Sequence, residues 1–411
     1  MSERAGRASI SLAGPSFAAM AGTYCLGVFN DSFFKQAVFL IAVSLGMKEM
    51  QGYVAIVFTL PYIFLAAPAG WLADRFAKRH VVIAAKVLEL TAMIAGAAGI
   101  LLGAWYLVLT MAFIMGLQSC VFSPALNGAI PELFPPAGVT RANAVLKAVV
   151  TVAILAGFAS AGIVRDLGGA WALSTIIIGA ALLGVFVSFA TPYRPPADPD
   201  ARFPWWGIVD TLKRLVHIRR DPPLAHTVVV AVFIWSLGQL QLLLINPMGV
   251  TQFGWSDSAT SLLLACELVG IAIGGVLAGR WAAGKGWQRL LAPSLAVMAG
   301  LLGAVWAVPL LPGETARYGA LMFLLLGGGI TGGLVLIPCE AFIQVRPAAG
   351  QRGAVIASAN FAIFCGIALA GGVANLLNLT FLPTDSFALV AAVTGLFAYY
   401  VYRTLSERQR L

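Results

Sequence analysis

Charge is scarce in this chain. Only 10% of its 411 residues are Asp, Glu, Lys or Arg, against about 25% in an ordinary soluble domain, so a water-soluble globule is excluded. Histidine is scarcer: His80, His217 and His226 are the only three, and they lie in or beside basic segments with no helical pair spaced for a metal. The five cysteines, Cys25, Cys120, Cys266, Cys339 and Cys365, are odd in number, fall inside apolar runs and lack the paired spacing of a disulfide framework or zinc site. They are read as small core residues, and neither metal nor cofactor is expected. A nucleotide-binding loop is also missing. Gly327, Gly329 and Gly332 satisfy a dinucleotide fingerprint literally, but they sit inside an apolar run with no strand before them.

What the chain has in abundance is hydrocarbon: 60% of its residues are apolar. A membrane-spanning helix uses about 20 such residues to cross a hydrocarbon layer of about 30 Å. Apolar runs broken by Gly, Pro or charge give twelve spans, near 17–45, 52–73, 81–103, 105–126, 142–164 and 169–190, then 225–250, 258–279, 289–311, 317–338, 353–378 and 386–403. The expected fold is an all-α membrane protein of two six-helix bundles. Arg4 and Arg7 precede an apolar stretch that runs without a small-residue cleavage site into a full span, so the first helix is expected to stay attached.

Loop cations set the orientation, because positive charge is retained on the cytoplasmic side. With the N-terminus inside, the inner segments carry Arg4, Arg7, Arg75, Lys78, Arg79, Arg141, the basic residues of the central connector, Arg280, Lys285, Arg289, Arg346, Arg352, Arg403, Arg408 and Arg410. The outer loops carry only Lys48, Arg165 and Arg317. Both termini are therefore expected in the cytoplasm. Topology and attraction to anionic headgroups account for the net charge of +9, so no nucleic-acid partner is inferred.

The expected division is an N-terminal bundle over 1–190, a cytoplasmic connector over 191–224 and a C-terminal bundle over 225–411. The connector opens with Pro192, Pro195, Pro196, Pro199 and Pro204, which favour an extended chain. After Trp205 and Trp206, Ile208, Val209, Leu212, Leu215 and Val216 recur at helical spacing opposite Lys213, Arg214, His217 and Arg220. That pattern predicts an amphipathic helix lying in the inner headgroup layer.

The two halves repeat. Gly70-Trp71-Leu72-Ala73-Asp74-Arg75-Phe76-Ala77 returns 205 residues later as Gly275-Val276-Leu277-Ala278-Gly279-Arg280-Trp281-Ala282. The offset covers an even number of helices, so both copies face the same side, as in a parallel repeat. Gly70 to Arg79 resembles the signature loop of the major facilitator superfamily, with Ala77 where that family usually has Gly. The resemblance implies that Asp74, Arg75 and Arg79, with Arg280 in the second half, form a cytoplasmic gate that fastens the halves when the transporter faces outward.

A narrower resemblance starts in the first span. Phe29-Asn30-Asp31-Ser32, then Lys35-Gln36-Ala37, is similar to a run in the lysophospholipid transporter family and its acyltransferase-fused relatives. Ser123-Pro124-Ala125, Glu132-Leu133 and Ala142-Asn143-Ala144 resemble that family's connection from fourth to fifth helix. Pro338, Ala341 and Gln344 resemble its tenth-helix exit. The chain departs from the family pattern at Leu126 and Asn127 (Lys and Tyr expected), at Lys147 (a carboxylate) and near Gln241 (a cation). The resemblance implies an inner-membrane, multi-pass transporter of lysophospholipids or related amphiphiles. It also makes a separate acyltransferase an expected partner, with no such domain expected after Leu411. A monomer is expected.

Ionisable residues inside spans are the strongest site candidates, because each needs a partner or a watered cavity. Asp31 and Lys35 are one turn apart, acid first, the better order for such a pair. Asn30, Ser32 and Gln36 surround them in sequence. Lys86 and Glu89 share a face of the third span, but Lys86 is expected to snorkel to headgroups. Lys147 is shallow and is expected either to snorkel or to offer a cation to a phosphate or carboxylate. Glu267 lies deep with no local base, a candidate proton carrier or cross-bundle partner. Gln118, Gln239, Gln241, Asn246 and Asn360 add hydrogen-bonding groups at depth, some of them helix glue. Gly270 with Gly274, and Gly275 with Gly279, suit close helix contact. An intramembrane enzyme is excluded because Ser119 has no histidine or paired aspartates to activate it. The expected activity is secondary transport by alternating access. The charged headgroup of a lysophospholipid would rest on Asp31, Lys35 and nearby polar groups. The alternative is a proton-coupled exporter of drugs or small organic molecules, with Asp31 or Glu267 carrying the proton.

Overall fold

The computed structural model describes residues 14–133, 136–281, 286–348 and 351–410. Arg4, Arg7 and Lys285 lie outside the described residues, as do the side chains of Asn127, Glu132, Arg408 and Arg410.

Among the described residues the chain is helical throughout, with no strand. The elements are α1 (Pro15–Ser44), α2 (Glu49–Phe64), α3 (Ala66–Arg75), α4 (Lys78–Leu102), α5 (Trp105–Leu133), α6 (Pro136–Ser188), α7 (Gly207–Ile218), α8 (Pro222–Pro247), α9 (Asp257–Trp281), α10 (Leu291–Val305), α11 (Glu314–Val345), α12 (Arg352–Thr380) and α13 (Pro383–Arg410). Ten helices are long and apolar enough to cross a membrane, or eleven when the bent pair α2 and α3 is taken as one span.

Three local causes separate these thirteen helices from the twelve expected runs. The second span breaks by 55° between α2 and α3, because Pro68 has no N–H for the carbonyl of Phe64 one turn earlier and its ring crowds it. The fifth and sixth expected spans follow one another without a loop in α6, whose 53 residues are two helices that meet at a kink. Their junction is Gly169, at φ 58° and ψ −151°, backbone that only glycine adopts freely. The predicted connector helix is present as α7, with Trp205, Trp206, Leu212 and Val216 exposed.

Pro247 leaves a second carbonyl without a partner, that of Leu243. The Asn378 side chain of α12 donates to it at 3.4 Å. The chain then widens into a turn in which Phe253 N–H bonds the carbonyl of Met248 at 3.0 Å.

The α9 and α11 helices cross glycine against glycine. A Cβ placed on Gly270 would meet the Gly329 Cα at 3.0 Å, and one on Gly274 would meet the Gly333 Cα at 3.0 Å. The apolar-run glycines dismissed above as a nucleotide fingerprint thus serve, at Gly329, to let two backbones touch. Of the second expected pair, Gly275 faces Ile337, whereas Gly279 opens onto free space.

Contacts divide the chain into two compact units. One comprises residues 1–35, 60–157 and 167–208; the other comprises 36–59, 158–166 and 209–411. In the first, α4 packs on α5 and α3 on α5, around a core that includes Phe17, Met20, Val82, Phe122, Leu126 and Leu146. In the second, α9 packs on α11, α10 on α13 and α8 on α12. The second unit also takes in the end of α1, most of α2 and a short stretch of α6.

Candidate functional site

The polar groups of the first unit gather where α1 meets α4, α5 and the second arm of α6. Asp31 is partly buried on α1, and Ser119 of α5 donates its hydroxyl to Asp31 Oδ2 at 3.0 Å. Ser119 in turn receives Gln118 Nε2 at 2.8 Å, and the Tyr62 hydroxyl of α2 interacts with it as well. Asp31 Oδ1 and Gln118 Oε1 are buried acceptors with no hydrogen-bond partner among the described residues. Lys35, Glu89 and Lys86 all lie within electrostatic range of the Asp31 carboxylate.

Asn30, one residue earlier and about 100° round the helix, faces elsewhere. Its amide donates to Glu89 Oε1 at 3.1 Å and to the Ile177 carbonyl of α6 at 3.2 Å. Glu89 is held from its other side by Lys86 at 2.7 Å, with neither side chain exposed. This overturns the expectation for Lys86: it turns inward instead of snorkelling. The room comes from two glycines on other helices. A Cβ on Gly27 of α1 would strike Lys86 Nζ, and one on Gly184 of α6 would lie 3.4 Å from its Cδ. The Phe122 ring sits 4.8 Å from the ammonium, the attraction of a cation for an aromatic face. Two acids and two bases, Asp31, Glu89, Lys35 and Lys86, thus balance within one cluster, which limits the cost of placing charge in an apolar layer.

Gln36 does not join this cluster. Five residues beyond Asp31 it has turned about 140° round α1, and it belongs to the second unit, hydrogen-bonded to Asn246 and Ser261. Lys147 is exposed on α6, and Asn360 is exposed on α12. Gln239 is half-buried and Gln241 is buried with its Oε1 unpaired. Glu267 is 6% exposed and has no hydrogen bond or ion pair among the described residues.

The signature-loop residues cluster with the connector. Arg75 donates to the carbonyls of Pro199 and Ala201, and Arg79 to that of Phe189. The Asp74 carbonyl accepts from the Asp198 N–H at 3.0 Å. Trp71 donates to Ala201 at 2.9 Å and meets Phe203 edge-on, centroids 5.1 Å apart. Arg280, in the other unit, is exposed.

Sequence reasoning placed Asp31, Lys35, Asn30 and Gln118 among the candidates, and the structure gathers them. It adds Lys86, Glu89, Ser119 and Tyr62. The signal for the first pair was present, an acid three residues after a base, but its inward direction depends on Gly27 and Gly184, far away in sequence.

A helical chain that carries a balanced charge cluster among apolar helices has the form of a polytopic membrane transporter. The chain belongs to the Major Facilitator Superfamily, whose sequence profile matches residues 12–371, and it is a multi-pass membrane transporter, not an enzyme. Among similar proteins is the lysophospholipid transporter LplT of Serratia proteamaculans (strain 568), 28% identical over 302 residues, 72% of this chain and 71% of that protein. LplT of Escherichia coli O1:K1 / APEC is 26% identical over 303 residues with the same shares covered. Of solved structures, a bacterial homolog of the human lysosomal transporter Spinster, inward-facing and occupied, aligns with a TM-score of 0.67 at 15% identity over 95% of this chain and 96% of that one. A D-xylose-proton symporter aligns with a TM-score of 0.69 at 14% identity over 94% and 97%. These two likenesses concern the fold.

Proposed function

We propose that this transporter moves a lysophospholipid, or a closely related single-chain amphiphile, between the leaflets of a bacterial inner membrane by alternating access. Counting the two arms of α6 as separate crossings, and α2 with α3 as one, makes twelve. The loop cations favour cytoplasmic termini. In this reading the bundles are 1–190 and 225–411, joined by a cytoplasmic connector over 191–224 whose helix α7 lies in the headgroup layer. The observation that carries the reading is the buried cluster around Asp31, built on the stretch of α1 that resembles the lysophospholipid transporter family. Its unpaired Asp31 Oδ1 and the neighbouring Lys35 suit a headgroup bearing both signs of charge. Asp74, Arg75, Arg79 and Arg280 would form the cytoplasmic gate. Substrate contacts from the second half would come from Gln239, Gln241 and Asn360, with Lys147 at the edge of the first.

Glu267 favours a second reading, a proton-coupled exporter of small organic molecules, because a carboxylate this buried and without a partner among the described residues is suited to carry a proton. Purified protein in liposomes separates the two. Flipping of a fluorescent lysophospholipid with no ion gradient supports the lipid carrier, and movement only under a pH gradient supports the exporter.

A further inference from the structure

The connector helix α7 has three faces, and only one of them packs on the protein. Thr211 and Leu215 are half-buried and Ile218 is buried. Ile208, Val209, Leu212 and Val216 fall within about 100° of one another round the helix and are all exposed, Val216 to 62%. Lys213, Arg214 and His217 make the third face, also exposed, and the exposed Arg219 and Arg220 follow at the helix end. These five side chains make no ion pair or hydrogen bond among the described residues. The one acid of the helix, Asp210, lies in its first turn, where the unbonded N–H groups of the helix end offset its charge.

The helix is tied down at both ends. In the first unit, Gly207 lies against the Ala67 side chain of α3, and Trp71 of the same helix donates to the Ala201 carbonyl at 2.9 Å. In the second unit, α7 ends at Ile218 and α8, long and apolar enough to cross a membrane, starts at Pro222. The chain between them reaches at most about 14 Å. Asp221 accepts from the Leu224 N–H at 3.4 Å. Arg346 grips the same carboxylate with two arms, at 2.9 Å and 3.3 Å, a fork that fixes orientation as well as distance. The end of α7 therefore stays beside the end of a membrane crossing.

We propose that α7 is a docking site for acidic phospholipids, its apolar stripe entering their acyl region and its cations binding their phosphates. The inference rests on the placement of α7 in the headgroup layer proposed above and goes beyond it by naming the lipid. The order of the faces carries it. Side chains that seek hydrocarbon stand beside unpaired cations, as acyl chains stand beside phosphates in a bilayer. Trp205 and Trp206, 82% and 72% exposed just before the helix, are of the residue type that favours the boundary between the two. An acidic protein would satisfy the cations and leave the apolar stripe in water. A zwitterionic headgroup brings its own ammonium, so it leaves the positive charge of the helix uncompensated.

The test uses the whole protein with all five cysteines replaced, a nitrobenzoxadiazole fluorophore at Val216→Cys, and nanodiscs of phosphatidylcholine with a minor fraction of phosphatidylglycerol. Quenching by spin-labelled phosphatidylglycerol and, separately, by spin-labelled phosphatidylcholine at the same mole fraction measures which lipid gathers at the helix. Phosphatidylglycerol is expected to be enriched about fivefold at Val216, the factor that one cation near an acidic surface supplies, and not at a fluorophore on Leu369→Cys of α12. Lys213→Gln with Arg214→Gln is expected to bring the enrichment close to one. So is a rise from about 0.15 to about 1 M salt, which shortens the Debye length from about 8 to about 3 Å. Equal quenching by the two lipids at Val216 would overturn the docking site and leave the helix in the headgroup layer. Quenching by neither would overturn both. No cargo is present, so the result is independent of the lysophospholipid reading.

Discussion

Lys86 and Glu89 form an ion pair at 2.7 Å with no part of either side chain exposed, and Asn30 closes the far side of the Glu89 carboxylate. Such a pair contributes little net stability as a pair, but removing one partner strands a charge in an apolar interior, at a cost of about 3–5 kcal/mol. Lys86→Met or Glu89→Met alone is therefore expected to lower thermal stability strongly in detergent. The double replacement is expected to recover most of the loss. A double variant as unstable as the sum of the singles would show that the two do not act on each other.

Asp31→Asn keeps an acceptor for the Ser119 hydroxyl and removes the charge. Its stability is expected to remain within about 1 kcal/mol of the parent, the scale of one hydrogen bond. Transport in liposomes is expected to fall by at least about tenfold, the factor that 1.4 kcal/mol carries. Unimpaired transport would remove Asp31 from the site.

Gly270 and Gly279 occupy the same helix and predict opposite outcomes. Gly270→Ala drives a methyl against the α11 backbone and is expected to cost about 1–3 kcal/mol. At Gly279, with open space around it, alanine is expected to stabilise by about 0.5–1 kcal/mol through helix propensity. Melting curves of the two variants check the contrast.

Asn378→Ala leaves the Leu243 carbonyl without its donor. A loss of about 1 kcal/mol is expected. Adding Pro247→Ala restores an N–H one turn from that carbonyl, so the double variant is expected to recover part of the loss.

How far the sequence alone reveals this molecule depends on the range of the interaction. The helical, membrane-spanning character and the connector helix were legible, because each is set by hydropathy and proline within a few residues; the bend between α2 and α3 inside the expected 52–73 span was not read. Asp31 was legible for the same reason, a lone carboxylate in an apolar run. The direction of Lys86 was not, since snorkelling and burial use the same helix position and Gly27 and Gly184 decide between them. Gln36 was assigned by its nearness in sequence to Asp31, yet its partner Asn246 stands 210 residues away, and nothing local distinguishes an amide that binds cargo from one that joins two helices.

Native mass spectrometry of the protein released directly from membranes tests the central claim most directly. The account predicts a bound species of lysophospholipid mass on the parent and its loss from the Asp31→Asn, Lys35→Ala variant. Equal occupancy of parent and variant, or a parent that carries no amphiphile, would contradict it.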